Sequence, residues 1–262
     1  MRRLPLLLAL AAVVAALAAG GASAAPAARA AKPVAETSPG KVLSTFVKAA
    51  GTNDTATMWG LLSSATKKRF GGSLEAFRKG EAPELVGALG QLARGDAFTM
   101  RMSEKLSSVF AFAVVTSRRV VKGQKEEAAY AAAMRAEGAG WKLELGGPVS
   151  LRVIGPDQGE VVAAPEPQMA VEAKAKEQII GAILYADGVP IDGNAGGTGP
   201  NNVTIYGVAT NVAKPGVHYG AAVAGTATDI SAVAWTFGFV PAKTTSGKLP
   251  KGIKPAGATT SG

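Results

Sequence analysis

Between Pro39 and Gly95 the apolar residues recur at every third or fourth position, and beyond Gly95 they recur at every second. That change of period divides what the chain can build. A 3.6-residue repeat buries one stripe of a helix, and a two-residue repeat buries one face of a strand. In PGKVLSTFVKAAGTND, Val42, Leu43, Phe46, Val47 and Ala50 share a helical stripe that Gly51 ends. Asp54 is placed to cap a second helix carrying Met58, Trp59, Leu61 and Leu62. A third short helix covers SATKKRF up to Gly71-Gly72, Ser73 opens a fourth in LEAFRKG, and PELVGALGQLARG completes the helical part. Past Gly95, FTMRM alternates Phe98, Met100 and Met102 against Thr99 and Arg101, and SSVFAFAVVTSRRVV is a long β-branched and aromatic run. EAAYAAAMRAEGAGWKLELG reads as two strands about a glycine turn, with Tyr130, Ala132 and Met134 answered by Trp141, Leu143 and Leu145. Helices followed by antiparallel strands predict an α+β unit over residues 39–147.

Gly146-Gly147-Pro148 marks a boundary. Beyond it, short apolar segments separated by turn residues predict an all-β sandwich over residues 149–240. In SAVAWTFGFV, Val233, Trp235, Phe237 and Phe239 fall on one face and Ala234, Thr236 and Gly238 on the other, as a half-buried strand requires. In VHYGAAV, Val217, Tyr219, Ala221 and Val223 share a face opposite His218. Tyr219 is therefore expected in the core, with His218 pointing outward. As the single histidine of the chain, with no carboxylate placed beside it by sequence, His218 reads as an exposed strand residue rather than a general base. The glycine-rich GNAGGTGPNN, residues 193–202, lacks the Lys and Ser/Thr of a phosphate loop and precedes a strand, so it is expected to be a flexible hairpin-end loop.

The chain has no cysteine, which excludes disulfides, thiolate metal sites and a lipid-modified cysteine anchor, and one histidine excludes a His-cluster site. No metal and no cofactor is expected. Residues 1–24 have a basic start, an apolar run from Leu4 and the triplet Ala22-Ser23-Ala24, the pattern of a signal peptide cleaved after Ala24. The uncharged run reaches Ala28, so an uncleaved anchor is the alternative. Residues 25–38 form an Ala/Pro spacer, and residues 241–262 a disordered tail with Lys243, Lys248, Lys251 and Lys254 and no acid. Without residues 1–24 the chain keeps 26 basic against 19 acidic residues. An anionic cell-wall polymer or an envelope protein is thus a candidate partner. Nucleic acid is not, since export is expected and the basic residues are not interleaved with aromatics.

The order SPGKVLSTFVKAAGTNDTATMWGLLSSATKKRF, then strands ending in AAYAAAMRAEGAGWKLEL, resembles the nuclear transport factor 2-like cone fold, in which helices close over a curved sheet. Residues 149–240 resemble bacterial immunoglobulin-like and fibronectin type III-like domains. IGPDQGEVV is similar to their opening strand, YADGVPI to a central strand, Asn211 to Val223 to the corner bearing a buried tyrosine, and SAVAWTF to the closing strand. The resemblance implies an α+β cone-like domain joined to an all-β immunoglobulin-like sandwich. A cone fold often encloses a pocket, and Trp59, Phe110, Phe112, Tyr130, Met134 and Trp141 are the residues that would line or close it, although their period favours ordinary core packing. Cone-fold enzymes resembling ketosteroid isomerase use an Asp shuttle with Tyr and protonated Asp partners. Here Asp54 falls at a cap, Asp96 at a turn, and Tyr130 has Ala132 and Met134 for neighbours, so no catalytic residue carries over. The expectation is an exported, non-catalytic binding or structural module, with a small-molecule carrier or sensor as the alternative and an isomerase- or dehydratase-like enzyme behind both.

Overall fold

The computed structural model describes residues 38–94, 98–121, 124–241 and 253–255. The expected signal peptide, residues 25–37 of the spacer, Gly95, Asp96 and most of the tail lie outside the described residues.

Five helices come first: α1 (Pro39–Gly51), α2 (Thr55–Leu61), α3 (Ser64–Arg69), α4 (Leu74–Lys79) and α5 (Ala82–Ala93). The first four begin where a short polar side chain can take an orphan backbone N–H. Ser38 accepts from Lys41, Asp54 from Thr57, Ser63 from Thr66 and Ser73 from Ala76. Behind them stands a sheet of β1 (Thr99–Lys105), β2 (Phe110–Val121) and β3 (Gln124–Glu137), with β4 (Gly140–Glu144) on the far edge of β3. Leu43, Phe46, Val47, Met58, Phe77 and Leu89 pack with Ala113, Val115, Ala132, Met134, Trp141 and Leu143 into one buried core.

The second half contains two sheets. One has the order β10 (Gly193–Gly199), β11 (Asn202–Val208), β7 (Gln168–Lys174), β5 (Ser150–Gly155). The other runs β6 (Val161–Ala164), β13 (Ile230–Pro241), β12 (Gly216–Gly225), β8 (Gly181–Ala186), β9 (Val189–Pro190), with β6 parallel to β13 and its other pairs antiparallel. This is the strand order of an immunoglobulin-like sandwich. Its interior is Met169, Val171, Leu184, Ile205, Trp235, Phe237 and Phe239.

The two halves are stacked. Phe112, Val114, Ala131 and Ala133, on the face of β2 and β3 turned away from the helices, form a third core with Tyr185, Tyr219, Ala221, Val223 and Ile230 on the outer face of the β12 sheet. The order of layers is helices, β2–β3 sheet, β12 sheet, β7 sheet. Both central sheets are consequently buried on both faces, which removes more apolar area from water than two separate units could. Polar ties cross the junction: the Tyr185 hydroxyl donates to Glu104 (3.0 Å) and the Thr236 hydroxyl to the Glu127 carbonyl (2.9 Å).

Stacking corrects several expectations. The face of β13 carrying Ala234 and Thr236 is not solvated, because it abuts the first half, and Thr236 is buried. Tyr219 is buried but faces the first half rather than the sandwich interior, while His218 turns toward Phe237 and Phe239 inside the sandwich and is only 13% exposed. Met102 falls on the face opposite Met100, because a register shift between them inserts a bulge residue. Residues 193–199 are not a loop but edge strand β10, paired with β11 through a tight turn at Pro200–Asn201. Gly197 makes that pairing possible. Its φ is +145° and a Cβ there would strike the Asn202 carbonyl. In the expected tail, Ile253–Pro255 forms β14, parallel to Lys125–Glu127 of β3. It extends the edge of β3 that β4 occupies further along, at Ala133–Glu137.

Candidate functional site

Where the β1–β2 turn meets the ends of β8, β12 and β13, the stacked sheets part and leave a crevice of about 180 Å³. Leu106, Val109 and Phe110 form the wall from the first half; Ile180, Ile183, Val223 and Ile230 form the wall from the second. Val109 is 40% and Ile180 44% exposed, so large aliphatic side chains stand in solvent at the mouth. Each wall follows from its strand. Phe110 and Val223 lie on the faces that pack together deeper in the junction, and the turns at Leu106–Val109 and Thr226–Asp229 end that packing. Ser107 Oγ accepts from the Val109 and Phe110 amides, and Thr226 Oγ1 from the Thr228 and Asp229 amides, so both hydroxyl oxygens on the walls are committed to holding these turns.

Arg135 braces the same end. Its guanidinium lies 5.0 Å from the centre of the Phe110 ring, donates to Glu144 (2.6 Å) and reaches the Thr228 carbonyl (2.5 Å) across the junction. Glu144 also accepts from the Ser63 and Thr66 hydroxyls, tying α3 into the network.

Of the six residues expected to line a cone pocket, Phe110 alone borders the crevice. Phe112 is fully buried between the sheets, 5.3 Å from the Tyr185 ring. Trp59 packs against Phe70 and Phe77; Met134 and Trp141 are buried, and Tyr130 half-buried, under the helices. Burial, reinforced by the charge of Glu81, pushes the Tyr130 hydroxyl pKa up and keeps it protonated. The six are thus divided by the β2–β3 sheet: even-numbered positions of β2 face the sandwich, whereas even-numbered positions of β3 face the helices. Asp54 is exposed at its cap, where the hydrogen bonds from Thr57 lower its pKa.

The structure brings His218 to a carboxylate that sequence did not place. Asp187 and Gly188, both at positive φ, form the tight turn between β8 and β9, and the register of β8 against β12 carries Asp187 beside Tyr219. Asp187 Oδ2 lies 2.6 Å from His218 Nδ1, and the Lys214 carbonyl lies 2.9 Å from Nε2. Both partners are acceptors, which suits a doubly protonated imidazolium. Burial lowers the His218 pKa, but the Asp187 hydrogen bond and charge and the Lys214 carbonyl outweigh it, and the net shift is upward. With each ring nitrogen engaged, the pair holds the 187–188 turn to the 214–216 loop and has no free lone pair with which to abstract a proton. The signal for it in sequence was the Asp-Gly dipeptide of YADGVPI. Burial, with the charge of Asp187 added, pushes the Tyr219 hydroxyl up to about 12.

Among the described residues no group of His, Asp and Glu could hold a metal ion, and no helix is long and apolar enough to cross a membrane. No protein-family profile and no curated protein matches the chain. Weak structural likenesses exist to the endo-beta-1,4-mannanase from Thermotoga petrophila (TM-score 0.29, 10% identity, 36% of this chain and 20% of that one) and to the titin Ig tandem domains A164-A165 (TM-score 0.28, 8% identity, 56% and 75%). Titin-A168169 is similar at a TM-score of 0.26 and 10% identity, over 50% of this chain and 91% of that one. At these TM-scores the likenesses carry no argument; the immunoglobulin-like sandwich rests on the strand order.

Proposed function

We propose that the chain is an exported, non-catalytic binding module of the bacterial envelope or extracellular space, that its helical half is a nuclear transport factor 2-like domain, and that it binds in the crevice between its halves rather than under its helices. The observation that carries the reading is the crevice itself: an apolar recess between two stacked sheets whose aliphatic lips, Val109 and Ile180, remain in water. The leader pattern of residues 1–24 supports export.

The test is native mass spectrometry of the chain purified from the exported fraction, beside Val223→Trp, whose indole would fill the recess. Adducts on the wild type that the variant lacks are expected. Identical spectra from both proteins would remove the crevice as the binding site.

A second reading, docking of an envelope protein on the sandwich, is favoured by the outer face of the β7 sheet. Tyr206 (46% exposed) pairs with Ala170, the exposed Ile154 lies beyond it on β5, and Arg152, Glu172 and Lys174 form an ionic row alongside. An apolar strip with a charged border suits a weak protein interface. Loss of capture of a defined envelope partner on Tyr206→Ser, with Val223→Trp neutral, would favour it over the crevice.

A further inference from the structure

We infer that the crevice is a slot for the alkyl end of a single-chain amphiphile, with room for about seven carbons, whose polar end stays in solvent beyond Val109 and Ile180. The inference rests on the reading of the crevice as the binding site and adds the chemical class of the occupant.

Depth follows from volume. A buried apolar cavity of roughly 150 Å³ accommodates the six carbons of benzene. The recess here is about 180 Å³, enough on the same scale for about seven carbons. Chemistry follows from the walls. Phe110, Ile183, Val223 and Ile230 present carbon, and the Ser107 and Thr226 oxygens already accept from backbone amides of their own turns. A ligand group carrying several donors and acceptors would lose its water and find few partners. A saturated chain loses nothing in that exchange. Orientation follows from the mouth. The exposed Val109 and Ile180 extend the apolar surface outward, so the chain leaves the slot past them and the head group stays in water.

The test is calorimetric titration of the chain from Ala25, which keeps every described residue, with n-alkanols from butanol to dodecanol. The association constant should rise about fourfold per added methylene, the factor that corresponds to about 0.8 kcal/mol per buried CH₂, and flatten beyond about seven carbons. Val223→Trp should abolish the rise. Val109→Ser and Ile180→Ser, at exposed positions that folding does not depend on, should each weaken octanol severalfold. Tyr130→Phe, under the helices, should change nothing. A constant independent of chain length, or one that climbs through dodecanol without a break, overturns the slot. So does octanol binding unaffected by all three crevice variants. If adducts sensitive to Val223→Trp persist while the alkanol series is flat, the alkyl assignment fails and the binding reading stands. If neither is seen, both fail.

Discussion

Replacing Phe112 with alanine asks whether the two halves are one body. Phe112 is fully buried, and it belongs to the junction core with Tyr185 rather than to the core under the helices. If the halves were independent, Phe112 would be a surface residue of the first, and its loss would cost a few tenths of a kcal/mol. In the stacked structure it buries on the order of 150–250 Å² of ring surface. Its removal leaves a cavity that Ala131, Ala133 and Ala221 are too small to refill. Large-to-small changes of this kind cost about 3–5 kcal/mol. The chain carries its own reporters: Trp59 and Trp141 beside the helical core, and Trp235 inside the sandwich. Urea unfolding should be followed by fluorescence in proteins that retain either the first two tryptophans or the third. Both reporters are expected to show one coincident transition, shifted to lower urea by Phe112→Ala to the same extent. Two separate transitions, or a shift worth less than about 1 kcal/mol, would refute the stacked arrangement.

Three further outcomes follow from particular contacts. The His218 pKa is raised in the folded chain, so the stabilisation from its pairing with Asp187 is complete below the ordinary value of about 6.5 and is lost as pH rises through the higher folded value. The stability difference between wild type and His218→Gln should therefore be largest near pH 5–6 and shrink toward pH 9; a difference that grows with pH would contradict the assignment. Gly197→Ala forces a Cβ into the Asn202 carbonyl at a φ of +145° and should destabilise the β10–β11 hairpin by roughly 1–3 kcal/mol, seen as faster amide exchange in Thr204 and Tyr206, whose backbone groups face β10. Arg135→Ala leaves the largely buried Glu144 without its cation and should cost roughly 1–3 kcal/mol in thermal unfolding, and Arg135→Lys should recover only part of it, since a single ammonium cannot serve Glu144 and the Thr228 carbonyl together.

Local structure was largely legible in the sequence. Ser63 and Ser73 sit one residue before helices, Gly71-Gly72 supplies the positive φ that ends a helix turn, and the alternation of Trp235, Phe237 and Phe239 marks the sandwich interior. The partners of each face were not. The run FAFAVV in β2 lacks polar alternation, as a strand buried on both sides does, and Phe110 and Phe112 were assigned to the same lumen as Tyr130 although the sheet separates them. Parity along one strand says which residues share a face; it does not say which layer covers that face. The crevice was illegible for the same reason, since it arises where two sheets distant in sequence part. The Asp187–His218 pair depends on the register of β8 against β12, which spans thirty-one positions of chain. Gly193–Gly199 misled differently: its glycines signalled a loop, whereas they allow close approach of β11.

The claim on which fold, crevice and ligand all depend is that the β2–β3 sheet is covered by the sandwich. Methyl NOEs of the chain in solution test it most directly. Cross-peaks are expected between Val114, Ala131 or Ala133 and Ala221, Val223 or Ile230. Their absence, with the first set freely accessible to a soluble paramagnetic probe, would contradict the account.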